Sequence, residues 1–354
     1  MATSGTVGLT RFTTRKVIDN AYGLCKIARP EITSERIEVA KDWLFLRMSV
    51  AANKGIPLWA IQKQILPLYV NTTIAPLPVG AYDLLNLNTR KTARQATGMA
   101  TASEGVAANA FDGDFSTACT QTIAAGWIQL QFEQGATFIP MFGILPNATG
   151  TWSYTMQGSN DGLVWTTFYT ATAQAVVDGE WFWFDVDGMA EWQYIRLQAT
   201  GLTILNVTEL VFANTPTEIM CAGLARDDYS NLPNKVTTGQ PTQFWFDRQR
   251  TQPVIHLWPS PGELTRFWNL TAYLQFQLQD VGKMTEELEL RQTAYFAFVK
   301  QLGSDLSRVD KEVKDENLIV RLAQEAKEAM NDMWDGESDR APTMLTPNIR
   351  PYTR

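Results

Sequence analysis

The amino-acid sequence predicts an α+β fold in which a helical host domain with short antiparallel strands carries an inserted all-β sandwich. Helical spacing of apolar residues is confined to the two ends of the 354-residue chain, and between them short β segments recur between turn signals. Charge changes at the same places, since residues 91–214 contain three Lys/Arg against eleven Asp/Glu in a chain that holds 30 and 37. We therefore expect a discontinuous host domain at residues 1–90 and 215–340, an inserted sandwich at residues 91–214 and an extended tail at residues 341–354.

The N-terminal region predicts two helices. Thr13 or Thr14 is placed to cap the first helix, whose apolar residues keep helical spacing until Pro30 stops it. Ser34 is placed to cap the second helix, which ends before Gly55 at a typical C′ position. Two antiparallel helices with a short connection are the economical arrangement.

Alternating apolar residues between Asp-Gly turns predict the strands of the middle segment. The predicted strands are Trp127–Phe132, Trp152–Gln157, Trp181–Phe184, Tyr194–Leu197 and Leu210–Phe212. Within the third strand, Trp181 and Trp183 alternate with Phe182 and Phe184, so one pair points away from the core. We expect Trp181 and Trp183 to be exposed and to contact a glycan or a neighbouring protein.

Residues 215–340 return to strands and then to helices. Strand patterns occur at Phe244–Phe246, Val254–Trp258 and Asn269–Gln279, and apolar residues at helical spacing follow at Leu288–Leu302 and Leu318–Met333. Residues 341–354 contain three prolines without any periodicity, which indicates an extended tail.

Five motifs follow one another in the middle segment: Ala110–Thr117, Gly126–Phe132, Gln157–Trp165, Tyr194–Leu197 and Glu209–Phe212. In this order they resemble the discoidin family, also called coagulation-factor type C, which is related to galactose-binding-like carbohydrate modules. The resemblance implies a structural calcium ion held by Asp112, Asp114, Thr117 and Glu209, with a backbone carbonyl from Ala110. Such an oxygen-rich set suits Ca²⁺. The alternative is that Asp112 only forms a turn and that Glu209 is only a surface charge.

Segments on both sides of the sandwich carry a second pattern: Tyr82–Leu84, Asn234–Val236, Gly239–Asp247, Leu257–Pro261, Tyr273–Asp280 and Ala341–Tyr352. Together they resemble the head-to-tail adaptor (tail accessory or connector) proteins of short-tailed bacteriophages. One departure is that the Pro-x-Arg-Trp sequence usual before the first C-terminal helix is replaced by Glu287–Arg291.

The adaptor resemblance implies a structural subunit of a homo-oligomeric ring, commonly of twelve copies. Such a ring docks on the portal protein, continues the channel for double-stranded DNA into the tail without sequence recognition, and carries further tail proteins such as the nozzle and fibres. Portal contacts would come from the tail residues Pro347, Ile349, Pro351 and Tyr352. The protein would then act in the virion, at the portal–tail junction, after assembly in the cytoplasm of the bacterial host.

Two other functions stay open, a carbohydrate-binding adhesin of the virion and, with less support, a peptidoglycan hydrolase. We expect no enzyme and assign no catalytic residue, because the single histidine, His256, lies in a strand pattern without an evident nucleophile and orienting carboxylate. Cys25, Cys119 and Cys221 share no metal-ligand spacing and argue against a disulfide framework. Calcium is the one cofactor expected. No apolar run reaches the length of a membrane span, so we expect no membrane anchor.

Overall fold

The computed structural model describes residues 12–53, 60–95, 97–186, 190–278 and 281–337. Its helices and strands are segregated along the chain, which confirms the predicted α+β class. The described residues form two compact units, one made of those up to residue 62 together with those from residue 276 onwards, and the other of those between residues 63 and 275.

Among the described residues, the first unit contains four α-helices. They are α1 (Thr14–Leu24), α2 (Ser34–Asn53), α4 (Ala294–Val309) and α5 (Glu316–Glu337), whereas the short α3 (Arg226–Ser230) belongs to the second unit. Helix α4 packs against α1, α2 and α5 and so joins the two ends of the chain. Thr13 caps α1, as predicted, with its side chain accepting from the Lys16 N–H at 3.4 Å. At α2 the capping side chain is Thr33 rather than Ser34, since Thr33 Oγ1 accepts from the Arg36 N–H at 3.4 Å.

The core of this unit is built from the apolar faces that helical spacing predicted. Helix α2 buries Ala40, Leu44 and Met48 against residues of the other three helices. Beside this core, the Arg47 guanidinium donates from Nε and Nη2 to the two carboxylate oxygens of Asp305 at 2.6 and 2.5 Å. Asp305 is 4% exposed, so this bidentate pair is what keeps a buried charge satisfied.

The second unit is built from β-strands arranged in several sheets. The strands, two of which reach the unit boundary, are β1 (Ile61–Pro67), β2 (Ile74–Pro76), β3 (Ala81–Gln95), β4 (Gly98–Ala102), β5 (Cys119–Thr120), β6 (Trp127–Phe132), β7 (Thr137–Phe138), β8 (Met141–Pro146), β9 (Gly150–Ser159), β10 (Thr166–Val176), β11 (Phe182–Asp185), β12 (Glu191–Trp192), β13 (Tyr194–Ala199), β14 (Asn206–Met220), β15 (Ala222–Leu224), β16 (Thr238–Gly239), β17 (Gln243–Asp247), β18 (Val254–Trp258), β19 (Ser260–Pro261) and β20 (Asn269–Phe276). The largest sheet has the order β1-β20-β3-β14-β8-β11, with β5 paired to β14. The next has the order β10-β9-β13-β6-β4, and a third has the order β15-β17-β18-β2.

The two larger sheets share one hydrophobic core and form the predicted β-sandwich. Strand β6 shows the alternation clearly, because Ile128, Leu130 and Phe132 are buried in that core while the residues between them are half-buried on the other face. From the larger sheet, Phe142 of β8 and Phe212 of β14 reach the same core.

The outer face of the larger sheet is covered as well. A second buried cluster lies on that face and consists of Met141, Leu145, Trp181, Trp183, Val211 and Ala213. The partly buried Ile65, Tyr69 and Phe267 pack against it. These three residues lie outside the predicted insert. The part of the largest sheet that β8 and the first half of β14 form is therefore buried on both faces.

The boundaries predicted for the insert fall inside continuous strands. Strand β3 runs through residue 90 and β14 runs through residue 214, and the two pair from Phe212 with Gln95 to Met220 with Asn88. The compact unit that contains the sandwich extends instead from residue 63 to residue 275. Alternation with a period of two continues along a strand when its neighbours change, so it carries no signal of where an insert begins.

Candidate functional site

The aspartates of the loop at residues 111–117 are engaged with the loop's own backbone and hydroxyls. Asp112 accepts from the Asp114 N–H at 2.8 Å with one oxygen and from the Thr117 hydroxyl at 2.8 Å with the other. Asp114 Oδ1 accepts from the Ser116 N–H and hydroxyl at 2.9 and 2.7 Å, and these bonds lower the pKa of Asp114. Gly113 takes a φ of +80°, the left-handed conformation that the predicted Asp-Gly turn requires.

Glu209 lies beneath this loop as a fully buried carboxylate. It follows a register shift in the pairing of β14 with β8, and its exposed fraction is 0%. Its Oε2 accepts from the Gly113 N–H at 3.0 Å, and its Oε1 accepts from Nη2 of Arg94, which reaches it from β3. The same Arg94 nitrogen donates to the Phe111 carbonyl. Burial raises the pKa of Glu209, and the neighbouring Arg94 opposes that rise.

The residues that were expected to hold calcium do not fit a calcium site. The structure brings Asp112, Asp114, Thr117 and Glu209 to one place, next to Ala110 at the end of a 3-10 turn. Both carboxylate oxygens of Asp112 and of Glu209, however, already accept hydrogen bonds from the loop or from a guanidinium. Within the described ranges, no group of three or more His, Cys, Asp or Glu is arranged to hold a metal ion. The alternative interpretation, in which Glu209 is only a surface charge, is wrong because Glu209 is buried. The turn at Asp112 is confirmed.

Trp181 and Trp183 are not exposed, which corrects the expectation that they present a contact surface. Their exposed fractions are 5% and 7%, and their rings stack on each other with centroids 5.0 Å apart. Phe182 and Phe184 pack on the sandwich core, so the alternation does separate the two pairs as predicted. The tryptophan pair is nevertheless covered, because the second cluster supplies residues from a distant part of the chain.

The outer face of the five-stranded sheet carries a polar row that the sequence analysis did not single out. Cross-strand pairing aligns one residue from each strand in the order Thr101, Gln129, Arg196, Gln157 and Thr167. All five are half-buried or exposed. This order follows from the antiparallel pairing of the strands, because the residues on their other face are buried in the sandwich core and fix the register.

Arg196 at the centre of the row is held in a defined orientation. Its guanidinium carbon lies 3.9 Å from the centroid of the Trp165 ring, and its Nε donates to Gln157 Oε1 at 2.7 Å. Gln157 in turn donates to the Thr167 hydroxyl at 3.1 Å. Partial burial lowers the pKa of Arg196. These side chains present amide, hydroxyl and guanidinium groups on one face of the sheet, beside the Trp165 ring.

His256 is a packing residue of the four-stranded sheet. Its ring stacks on Trp245 with centroids 4.5 Å apart and also contacts Tyr229, and its Nε2 lies 3.9 Å from an Asp247 oxygen. Desolvation lowers the pKa of His256, partly offset by Asp247. The geometry matches the structural role that its strand position favoured.

Pro347, Ile349, Pro351 and Tyr352, the expected portal contacts, lie outside the described residues, as does the whole tail at residues 341–354. Of the helices that the structure describes, none is long and apolar enough to cross a membrane. The three cysteines are unpaired and buried.

The comparisons with known proteins give similarity at the level of solved structures. No family model matches the chain, and no curated protein matches it. A chitosan-binding module of a chitosanase/glucanase from Paenibacillus sp. IK-5 is 25% identical, with a TM-score of 0.30, and the match covers 35% of this chain and 99% of that one. A family 32 carbohydrate-binding module from C. perfringens in complex with galactose is 16% identical, with a TM-score of 0.30, covering 35% and 99%. The module CBM62 from Clostridium thermocellum is 26% identical, with a TM-score of 0.31, covering 35% and 98%.

Proposed function

We propose that the β-sandwich binds a glycan on the outer face of its five-stranded sheet, and that the chain is a binding and structural protein rather than an enzyme. The observation that carries this proposal is the row centred on Arg196, which lies on Trp165 and is hydrogen-bonded to Gln157. Sugar hydroxyls are matched by planar amide and guanidinium groups, and the apolar faces of sugar rings pack on aromatic side chains.

Preorganisation supports the choice of this face. Gln157 is fixed between Arg196 and Thr167, so little side-chain freedom is lost when a ligand binds. The neighbouring row on the same face adds Tyr194 opposite Gln131, which extends the surface along the strands. A chain of several sugar units would span both rows.

A glycan array probed with the full-length protein, followed by titration calorimetry with the best ligand, tests this proposal. We expect Arg196→Ala and Gln157→Ala to weaken binding by at least about tenfold, the effect of losing one or two hydrogen bonds to a polar ligand. Gln134→Ala, at an exposed position outside the row, serves as the matched control and should bind as the unaltered protein does. Retention of no glycan would overturn the proposal, and equal binding by Arg196→Ala would overturn the assignment of the face.

The head-to-tail adaptor is the second candidate function, and one observation favours it. Helix α2 exposes Leu46 and Val50 at 51% and 44% on the side opposite to the Leu44 and Met48 that it buries, and Phe45 at 42% on the flank between the two sides. A helix that is apolar on two sides is usually covered on both. We propose that a second copy of this chain covers this face in a ring that docks on a portal protein in the virion.

Mass photometry of the purified protein tests the ring, and cryo-EM of its mixture with portal protein tests the docking. We expect oligomers that Leu46→Glu dissociates and that Val320→Glu leaves intact, because Val320 is an exposed apolar residue of α5, 68% exposed, outside this face. A protein that stays monomeric at every concentration would remove the support for the adaptor while leaving the glycan proposal untouched.

A further inference from the structure

The misfit to calcium has a specific structural origin in Arg94. We propose that the Arg94 guanidinium permanently occupies the cation position beneath the loop at residues 111–117, so that the sandwich is held by an internal cation and requires no calcium.

The first support is that Arg94 binds the kinds of group that a metal would bind there. One guanidinium nitrogen donates both to the Phe111 backbone carbonyl and to a Glu209 oxygen. A carboxylate and a backbone carbonyl are ordinary calcium ligands. The other Glu209 oxygen accepts from the Gly113 N–H at 3.0 Å, so both oxygens of this carboxylate are engaged.

The second support is the fit of the guanidinium between its neighbours. The Arg94 guanidinium carbon lies 4.7 Å from the centroid of the Phe267 ring. A Cβ added at Gly113 would lie 2.7 Å from Arg94 Nη1 and 3.6 Å from the Phe267 ring. Gly113 therefore serves two purposes, since it supplies the left-handed turn and leaves room for the guanidinium.

The third support is electrostatic. Glu209 has no exposed surface, and an unpaired carboxylate in such a position is strongly unfavourable. Arg94 supplies the compensating charge from an adjacent strand, with its side chain 17% exposed. A metal bound at the same carboxylate would have to displace this guanidinium, which remains tethered to β3 and would lose its own partners.

Thermal unfolding of the full-length protein in excess EDTA and in excess CaCl₂ provides the first test. We expect the same Tm in both conditions, and calorimetric titration with CaCl₂ alone should show no binding at this site. A Tm that EDTA lowers and calcium restores would overturn the proposal, as would calcium binding that Glu209→Gln abolishes. The comparison of EDTA with calcium uses the unaltered protein, so it does not depend on whether a variant remains folded.

Substitution of the arginine provides the second test. Arg94→Ala leaves Glu209 buried without its cation, and we expect its Tm to fall by about 6–12 °C. Arg266→Ala is the matched control, because Arg266 lies over the Phe115 ring of the same loop at 3.8 Å but is not bonded to Glu209. Partial recovery of Arg94→Ala by calcium, without any effect on Arg266→Ala, would support a shared cation position. An Arg94→Ala protein as stable as the Arg266→Ala protein would overturn it.

Discussion

Replacement of Trp183 by alanine distinguishes a buried tryptophan pair from an exposed contact surface. Trp183 is 7% exposed and stacks on Trp181, which is 5% exposed. Truncation of a buried tryptophan costs about 3–5 kcal/mol, because it removes the transferred apolar surface and leaves a cavity. An exposed tryptophan would give a change within about 0.5 kcal/mol. The two expectations differ by far more than the error of an unfolding measurement.

The effect of Trp183→Ala on the free energy of unfolding also contains a contribution from the indole N–H, which a second variant isolates. The Trp183 indole N–H is buried without a hydrogen-bond partner among the described residues, and such a donor costs about 1–3 kcal/mol. Trp183→Phe keeps most of the ring volume, and the removal of the unpaired donor offsets the packing that the smaller ring loses. We expect Trp183→Phe to lie within about 1 kcal/mol of the unaltered protein.

Chemical denaturation of the full-length protein measures the free energy of unfolding of both variants, if it is followed by a spectroscopic signal that reports on the second unit. Leu163→Ala is the control, since Leu163 is 83% exposed and its truncation should be neutral within about 0.5 kcal/mol. The reasoning fails if Trp183→Ala is as stable as Leu163→Ala. Glycan binding by a stable Trp183→Ala protein should persist, because the proposed face lies on the other sheet.

Three further predictions concern other parts of the chain. Gly158→Ala should destabilise the sandwich by about 1–3 kcal/mol in the same assay, because the new Cβ would lie 2.3 Å from the Trp192 ring; an unchanged stability would contradict the tight approach of strand and ring. The unfolding free energy should fall between about pH 7 and pH 5, because the lowered pKa of His256 means that the folded state binds fewer protons than the unfolded state. His256→Gln should remove that part of the slope, and a slope that survives unchanged would assign it to other groups. Arg47→Ala should destabilise the helical unit by about 2–3 kcal/mol, less than for a fully buried pair because a third of the Arg47 side chain is exposed, and replacing Asp305 by leucine in the same protein should recover part of the loss.

Strands with one buried and one open face were predictable from the sequence. The bounds of β6 and β18 agree with prediction, and buried and half-buried residues alternate strictly along both strands. Strand β8, Met141–Pro146, was missed because all six of its residues are buried, so it has no alternation to detect. Its part of the sheet is covered on both faces by residues that are distant in sequence.

The residues of the candidate site were harder to predict than the strands. The turn at Asp112 was visible in the sequence, but the partner of Glu209 was not, since Arg94 lies 115 residues earlier. A signal did exist, because Arg94 and Arg196 are two of the three basic residues in the acidic segment 91–214. A scarce cation among many carboxylates is a candidate for a specific role, and both arginines prove to be oriented by aromatic rings.

The two-sided burial of this part of the large sheet also determines how the sandwich has to be studied. A fragment cut at residues 91 and 214 would divide β3 and β14 within their shared ladder. It would also lose Tyr69 and Phe267, which cover Trp181 and Trp183. The exposed tryptophan pair would then offer an apolar surface that could bind ligands without specificity or promote aggregation. Glycan binding by such a fragment would therefore say little about the native protein, and the full chain is the appropriate material for testing the face around Arg196.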